Sequence, residues 1–471
     1  MIDRVGIQRG RYFDSVRLMQ ASAAAEASPG VERALVAMAT DLNRSLLTGL
    51  GFAAPEGIGP DDLIVAIRAS GEAAAATAIA AAEAALAAAP AASGALFTPP
   101  PPRRVGSAAG ANLALISVPG QHAFVEAMEA LRAGMSVMVF SDNVPLAQEV
   151  ALKEEAARRG LLVMGPGAGT AVVRGVGLGF ANAVRPGPVG IVGASGTGIQ
   201  QMCCLLDDAG VGVRHALGTG SRDLRDEVGA ASTLAALEAL AADPEVEVIA
   251  VISKPPGPEA AERVRRAAAG CGKATVVAFM GERTLEEAAG DTLRLLGREV
   301  PQGFTTWAVV EKDHRPGRLL GLFSGGTLRD EARSVAALTL GDISTEADAP
   351  GHTMLDLGDD EYTRGRPHPM IDHRTRLDFL ARAAADPTAG VVLLDVVLGY
   401  GAHPDPAAAL APAVAAVTAA GAAAVVSLCG SAGDPQDRER QAGAFVAAGA
   451  AVLLSNAAAA RLAARSTGGT T

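Results

Sequence analysis

Short apolar runs alternate with longer Ala-rich stretches of helical period through most of this 471-residue chain. Residues 113–118, 136–141 and 161–164 read as buried strands, with helices at 123–133 and 144–159, the second stopped by Gly160. The alternation continues through strands at 246–253, 274–280, 318–323, 391–399, 423–429 and 451–454. Such a pattern makes an α/β protein, a parallel sheet wound with helices on both faces, and its ligands bind past the carboxyl ends of the strands. Residues 1–90 read as a small α/β module with strands at 31–38 and 61–69. Its helices are expected as an Ala-rich stretch that residues 12–19 lead into, after Asp41, read as part of a good N-cap, and over 71–89. Residues 91–106 contain Pro99-Pro100-Pro101-Pro102 and are expected to be an extended linker. A Rossmann-like domain at 107–185 and two matched units at 186–316 and 317–471 complete the expected organisation.

Two places interrupt the apolar pattern in the same way. Val189-Gly190-Ile191-Val192 runs into Gly193-Ala194-Ser195-Gly196-Thr197-Gly198 and then a helical stretch, and Leu320-Gly321-Leu322-Phe323 runs into Ser324-Gly325-Gly326-Thr327. Small residues at a helix start leave backbone N–H groups uncovered at the positive end of the helix dipole, where an oxyanion binds. Ser195, Thr197, Ser324 and Thr327 serve this reading as hydroxyl donors; they serve equally as helix N-caps, and both readings stand at this level. In each unit a Gly turn precedes a Gly-rich strand end and a buried strand, an order that supports internal duplication.

Composition narrows the function. Hydrophobic residues make up 49% and aromatics 3%, so the core is built from Ala, Val and Leu. A formal charge of −11 excludes nucleic acid as the main partner and leaves anion binding to local dipoles and a few cations. Cys203, Cys204, Cys271 and Cys429 have no metal-type spacing, and because three of them sit in apolar helix- or strand-like surroundings, buried structural thiols are expected. The first residues carry no secretory pattern and the Ala-rich runs are interrupted by charge, so a cytoplasmic protein without membrane spans is expected.

With Gly193-Ala194-Ser195-Gly196-Thr197-Gly198-Ile199-Gln200, Gly218-Thr219-Gly220-Ser221-Arg222-Asp223 and Gly365-Arg366-Pro367-His368-Pro369-Met370 in view, the chain resembles the FdrA family. Its second and third units resemble the α subunit of succinyl-CoA synthetase, and its fourth the C-terminal domain of the β subunit. The resemblance implies a CoA-binding-type Rossmann domain followed by two flavodoxin-like ligase domains. It also implies two facing helix starts, Ser195-Gly196-Thr197-Gly198 and Ser324-Gly325-Gly326-Thr327, as a phosphate cradle. Three departures shape what is expected. The strand at 274–280 leads to Gly281-Glu282-Arg283-Thr284-Leu285, without the family's phosphorylated His. The proline linker stands where the family's CoA-binding glycine turn is expected, which argues against CoA. No ATP-grasp domain is evident, so ATP would come through a partner chain. No cofactor is therefore assigned, and phosphate is expected as substrate. The FdrA resemblance implies carbamoyl transfer, with oxalurate and phosphate giving oxamate and carbamoyl phosphate. An acyl-CoA ligase subunit and a non-catalytic scaffold are the other readings.

Further candidates lie at expected strand ends: Asn143, Gly218, Thr219, Gly220, Ser221, Arg222 and Lys254, the last equally read as a surface lysine. The most polar stretch, 351–373, offers Arg364 and Arg366 as carboxylate or phosphate clamps and His368, held between two prolines, as a proton shuttle. Its acids, Asp356, Asp359, Asp360 and Glu361, lack a tight metal-ligand spacing, and no metal is assigned. The expected partners are a small anionic substrate, phosphate, and other protein subunits or further copies of the chain.

Overall fold

The computed structural model describes residues 1–11, 13, 15–53, 55, 57–87, 104–108, 110–309, 314–363 and 366–468. Most of the proline linker, and Arg364, fall outside them. The chain divides into two compact units, one of Met1–Ser107 with a short later segment around Arg366, the other holding the remainder.

In the first unit, β1 (Ile2–Gln8), α1 (Ser15–Glu26), β2 (Val31–Met38), α2 (Asp41–Gly49), β3 (Leu63–Ala69) and α3 (Glu72–Ala87) follow in order. The three strands form an antiparallel sheet, β1-β3-β2. One core packs Leu18, Ala21 and Ala25 of α1 and Ala75, Ala78 and Ala82 of α3 on Val36, Val65 and Ile67. Two readings change here. β1 is a strand that the polar start Ile2-Asp3-Arg4 concealed. The N-cap of α2 is Thr40, whose hydroxyl accepts the Asn43 N–H at 3.3 Å, while Asp41 is the first helical residue.

The second unit opens with β4 (Leu113–Ile116), α4 (Gly120–Arg132), β5 (Ser136–Val139), α5 (Leu146–Arg159) and β6 (Val163–Met164), a parallel sheet in the order β4-β5-β6. The hairpin β7 (Thr170–Val173) and β8 (Val176–Gly179) comes next. The apolar pattern does not reveal it, because its strands are short and turn at Arg174-Gly175, both at positive φ. Then come β9 (Val189–Ala194), α6 (Gly196–Asp208), β10 (Val213–Gly218), α7 (Ala231–Ala242), β11 (Val248–Ser253), α8 (Pro258–Gly270), β12 (Ala274–Phe279) and α9 (Leu285–Leu295). Their sheet runs β12-β11-β9-β10, parallel, and the hairpin extends it antiparallel as β7-β8.

The last part contains β13 (Thr306–Ala308), β14 (Arg318–Phe323), α10 (Gly326–Leu340), β15 (Thr353–Asp356), α11 (Asp360–Thr363) and α12 (Arg374–Ala385). β16 (Ala389–Val397), α13 (Pro406–Ala419), β17 (Ala423–Cys429), α14 (Arg438–Ala447), β18 (Ala451–Leu453) and α15 (Asn456–Arg465) complete it. The sheet order is β13-β18-β17-β16-β14-β15, parallel except for β13. With β9 and β14 each taken as first, both sheets share the order fourth-third-first-second, the flavodoxin-like arrangement with its crevice beside the first strand. A single core joins the halves: Ile199, Met202 and Cys204 of α6 pack with Ala288 and Leu293 of α9, Leu328 and Ala332 of α10, and Ala460 of α15. Among the described residues no helix is long and apolar enough to cross a membrane.

Candidate anion site

β9 and β14 end in the two Gly turns, and the helices that follow meet start to start. The Ser195 hydroxyl accepts the Gly198 N–H at 2.9 Å, capping α6, and donates to Thr327 Oγ1 at 2.6 Å. A Cβ built on Gly325 would lie 2.5 Å from Thr197 Oγ1, and one on Gly198 3.0 Å from Thr327 Cγ2. Ser195, Thr197, Ser324 and Thr327 are all buried. The two starts are thus sealed together by their own hydroxyls, and the donors available to a ligand lie to one side, at α10.

There the end is differently made. The cap residue Gly325 forms no side-chain hydrogen bond to α10. Ser324 turns away, its N–H donating to both Asp395 oxygens at 2.9 and 3.0 Å and its hydroxyl to Oδ2 at 2.8 Å. Asp395 is held in turn by Arg376, whose guanidinium donates to its carbonyl at 2.6 Å and to Oδ1 at 3.1 Å. Both side chains are buried, so this pair fixes the turn from behind.

Lys254, on the turn after β11, directs its ammonium at Gly326, the first residue of α10. Any side chain at Gly326 would collide with Lys254 Nζ and come 2.6 Å from Asp356 Oδ2. Asp356, at the end of β15, accepts the Gly358 N–H at 3.0 Å. Burial raises its carboxyl to about 6, against the opposing pull of Lys254 and Arg329. A Cβ on Gly358 would stand 3.0 Å from His368 Nε2 and 3.2 Å from Asp356 Oδ1. His368 accepts the Met370 N–H on Nδ1 at 3.2 Å, which places its proton on Nε2, and its ring lies 5.7 Å from Phe180. Burial, helped by the Arg376 charge, lowers it to about 4, so it is a neutral hydrogen-bond donor near pH 7. Lys254, Asp356, His368 and the start of α10 therefore converge. An ammonium, an N–H end and an imidazole N–H together suit an oxyanion.

Other candidates go elsewhere. Arg222 pairs with Glu149 at 2.8 Å and donates to the Val144 carbonyl at 2.8 Å. Glu149 pairs with Lys153, which also reaches Asp223, each at 2.7 Å. Asp223 caps α7 through Ser232 N and Thr233 N. The Gly218-Thr219-Gly220-Ser221-Arg222-Asp223 turn is thus stapled to α5. Within it Thr219 is buried and bonded to Thr233 at 3.1 Å, Gly220 packs 2.5 Å from Pro166 O at its Cβ position, and Ser221 is exposed. Asn143 is exposed in the β5–α5 turn with φ 59°. His215 is a packed residue, 2.9 Å from Asp243. Arg366 is exposed and groups with the first unit. Where the ligase family carries its phosphorylated His, Thr284 instead closes a capping box with Glu287 on α9. Sequence reasoning missed Arg376 and Asp395, and it saw Asp356 only as one acid among several.

A protein of Escherichia coli (strain K12) named "Uncharacterized protein YahF" is 37% identical over 442 residues, 86% of this chain and 85% of its own length. The chain belongs to this FdrA-like family. A CoA-ligase model matches residues 322–466 and a CoA-binding-domain model residues 184–281, so the family's relation to succinyl-CoA synthetase extends across both Gly turns. The α subunit of the ADP-forming succinate–CoA ligase of Methanothermobacter thermautotrophicus is 28% identical over 146 residues, 30% of this chain and 48% of that subunit. Residues 1–98 match a model described as "AllF, heavy metal-associated domain". In this chain that segment has neither Cys nor His, so it offers a metal no thiolate or imidazole. A solved acetyl-coenzyme A synthetase of Ca. Korarchaeum cryptofilum, in complex with phosphate and ADP, aligns with 77% of this chain and 84% of its own. Its identity is 16% and its TM-score 0.32.

Proposed function

We propose that this FdrA-like chain is an enzyme subunit that transfers a carbamoyl or acyl group to or from phosphate. The reading adds a specific reaction to a fold related to acyl-CoA ligases. It is carried by one observation: the Lys254 ammonium meets α10 at Gly326, where the helix has no side-chain cap. Phosphate sits there on the first N–H groups of α10, neutralised by Lys254 and contacted by His368 Nε2–H. Phosphate oxygen then attacks the carbonyl of an N-carbamoyl acid such as oxalurate, giving carbamoyl phosphate and oxamate. The missing His after β12 fits this chemistry, which needs no phosphorylated side chain. The reading takes phosphate as substrate and leaves CoA out.

The test is phosphorolysis of oxalurate by the purified chain, alone and with its co-purifying subunits, beside calorimetric titration with phosphate. Lys254→Met is expected to weaken phosphate binding about 10- to 150-fold, the range for a hydrogen bond to a charged group. Unchanged affinity in that variant rejects the site. A second reading, an acyl-CoA ligase subunit supplied with ATP by a partner, is favoured by the CoA-binding and CoA-ligase matches. CoA-dependent ATP hydrolysis by the assembled subunits distinguishes it, and its absence is expected.

A further inference from the structure

We propose that Asp356 is the proton carrier of this site: it meets the bound oxyanion protonated and hands its proton to the leaving amide nitrogen. This rests on the phosphate reading above and adds a catalytic residue to it. The carboxyl lies between the two groups that would hold the anion. Oδ2 abuts Gly326 at the start of α10, while Oδ1 shares the space over Gly358 with His368 Nε2. The Gly358 N–H donates to Oδ1 and holds it in place.

The groups facing it come from several elements: Lys254 from the turn after β11, Arg329 from α10, Asp359 from its own loop, and His368 across Gly358. Two are cations that hold the carboxyl down, Asp359 lifts it, and burial dominates, leaving it at about 6. An ionised carboxylate beside a dianion repels it, so the incoming anion favours the protonated acid. His368 cannot substitute, since its Nε2 proton belongs to a neutral ring whose other nitrogen is occupied by the Met370 N–H. Asp356 is the group here whose proton moves near neutral pH.

The step balances. An oxygen of hydrogenphosphate bonds to the carbamoyl carbon and the carbon–nitrogen bond to oxamate breaks. The released electron pair stays on nitrogen, which takes the Asp356 proton. The proton of hydrogenphosphate passes to the Asp356 carboxylate, restoring the acid. A dianion and a monoanion enter, and carbamoyl phosphate dianion and oxamate monoanion leave.

The test uses the full chain and sulfate, a dianion that does not itself titrate near neutral pH. Calorimetry in two buffers of different ionisation enthalpy should show uptake approaching one proton per sulfate at about pH 8, with affinity falling about tenfold per pH unit above about pH 6. Asp356→Asn should abolish both the uptake and the pH dependence and bind sulfate at least about tenfold more tightly at about pH 8. Its kcat for phosphorolysis should fall about 100-fold or more, with KM for phosphate unchanged or lower. Asp356→Ser serves if the Asn variant does not fold, and the wild-type uptake needs no variant. Sulfate binding without proton uptake overturns this inference alone, as does uptake that persists in Asp356→Asn and vanishes in His368→Gln. Failure of the wild type to bind either sulfate or phosphate overturns the phosphate reading with it.

Discussion

Asp395 lies near the carboxyl end of β16, a strand whose other residues are apolar, and it is fully buried. A carboxylate in that position is stable only with partners, and here they are Arg376 from α12 and the Ser324 backbone and hydroxyl. Removing one partner of a buried pair leaves the other charge uncompensated, which costs more than the pair contributes. Arg376→Met should therefore destabilise the second unit by about 3–5 kcal/mol in urea unfolding. Ser324→Ala should cost about 1–3 kcal/mol, because Ser324 N–H still serves Asp395. If the two substitutions prove equally mild, the pair does not hold the turn. The Asp in Val392-Leu393-Leu394-Asp395-Val396 could be noticed in the sequence as an anomaly in an apolar run. Its partner could not, because Arg376 lies on another element and shares no spacing with it. Ser324 and Lys254 were legible as residues of strand-end turns, but the direction each points depends on packing between strands far apart in the chain.

At the scale of elements, α10 carries both ends of the argument. Its first residue must be small, since Lys254 and Asp356 crowd Gly326. Gly326→Ala should leave melting nearly unchanged, because the ammonium ends a flexible side chain and Ala favours helix. Phosphate affinity should nevertheless fall at least about tenfold as Lys254 is displaced, which is about 1.4 kcal/mol. One turn further on, Glu331 accepts the Leu285 N–H at 2.5 Å and the Asn456 amide at 2.7 Å, joining α10 to the starts of α9 and α15. Burial raises Glu331 from 4.5 to about 7 in spite of those bonds. The fold thus favours the protonated acid, and its contribution is complete below pH 4.5 and lost as pH rises through about 7. Glu331→Gln removes this titration. Between about pH 4 and pH 8 the unfolding free energy of the variant should gain on that of the wild type by about 3 kcal/mol. A difference that stays constant with pH would contradict it. The sequence made most of these elements readable through apolar periodicity and Gly stops. It failed at β1 and at the β7–β8 hairpin, where strands were polar or very short.

At the scale of the molecule, the duplicated halves of the second unit are not independent domains. In α6 every residue from Thr197 to Asp207 is buried. A helix covered on all sides belongs to the interior of a larger body, and the other half supplies that cover. Polar bonds cross the same boundary. Asn182 donates to Asp434 at 2.7 Å and Gln201 to the Leu454 carbonyl at 2.9 Å. The matched Gly turns revealed the duplication, but a repeat in sequence says nothing of how two copies face each other. Here they face so that Lys254 comes from the first half and Gly326, Asp356 and His368 from the second. Splitting the chain between Ala308 and Arg318 therefore tests core and site together. Each half expressed alone should expose the α6–α10 face and aggregate, whereas co-expression should return a soluble complex recoverable through a tag on either half. Phosphate binding by calorimetry should appear only in that complex, because the cation and the helix end that it meets lie on different pieces. A soluble second half that bound phosphate alone would remove Lys254 from the site and leave α10 to hold the anion unaided.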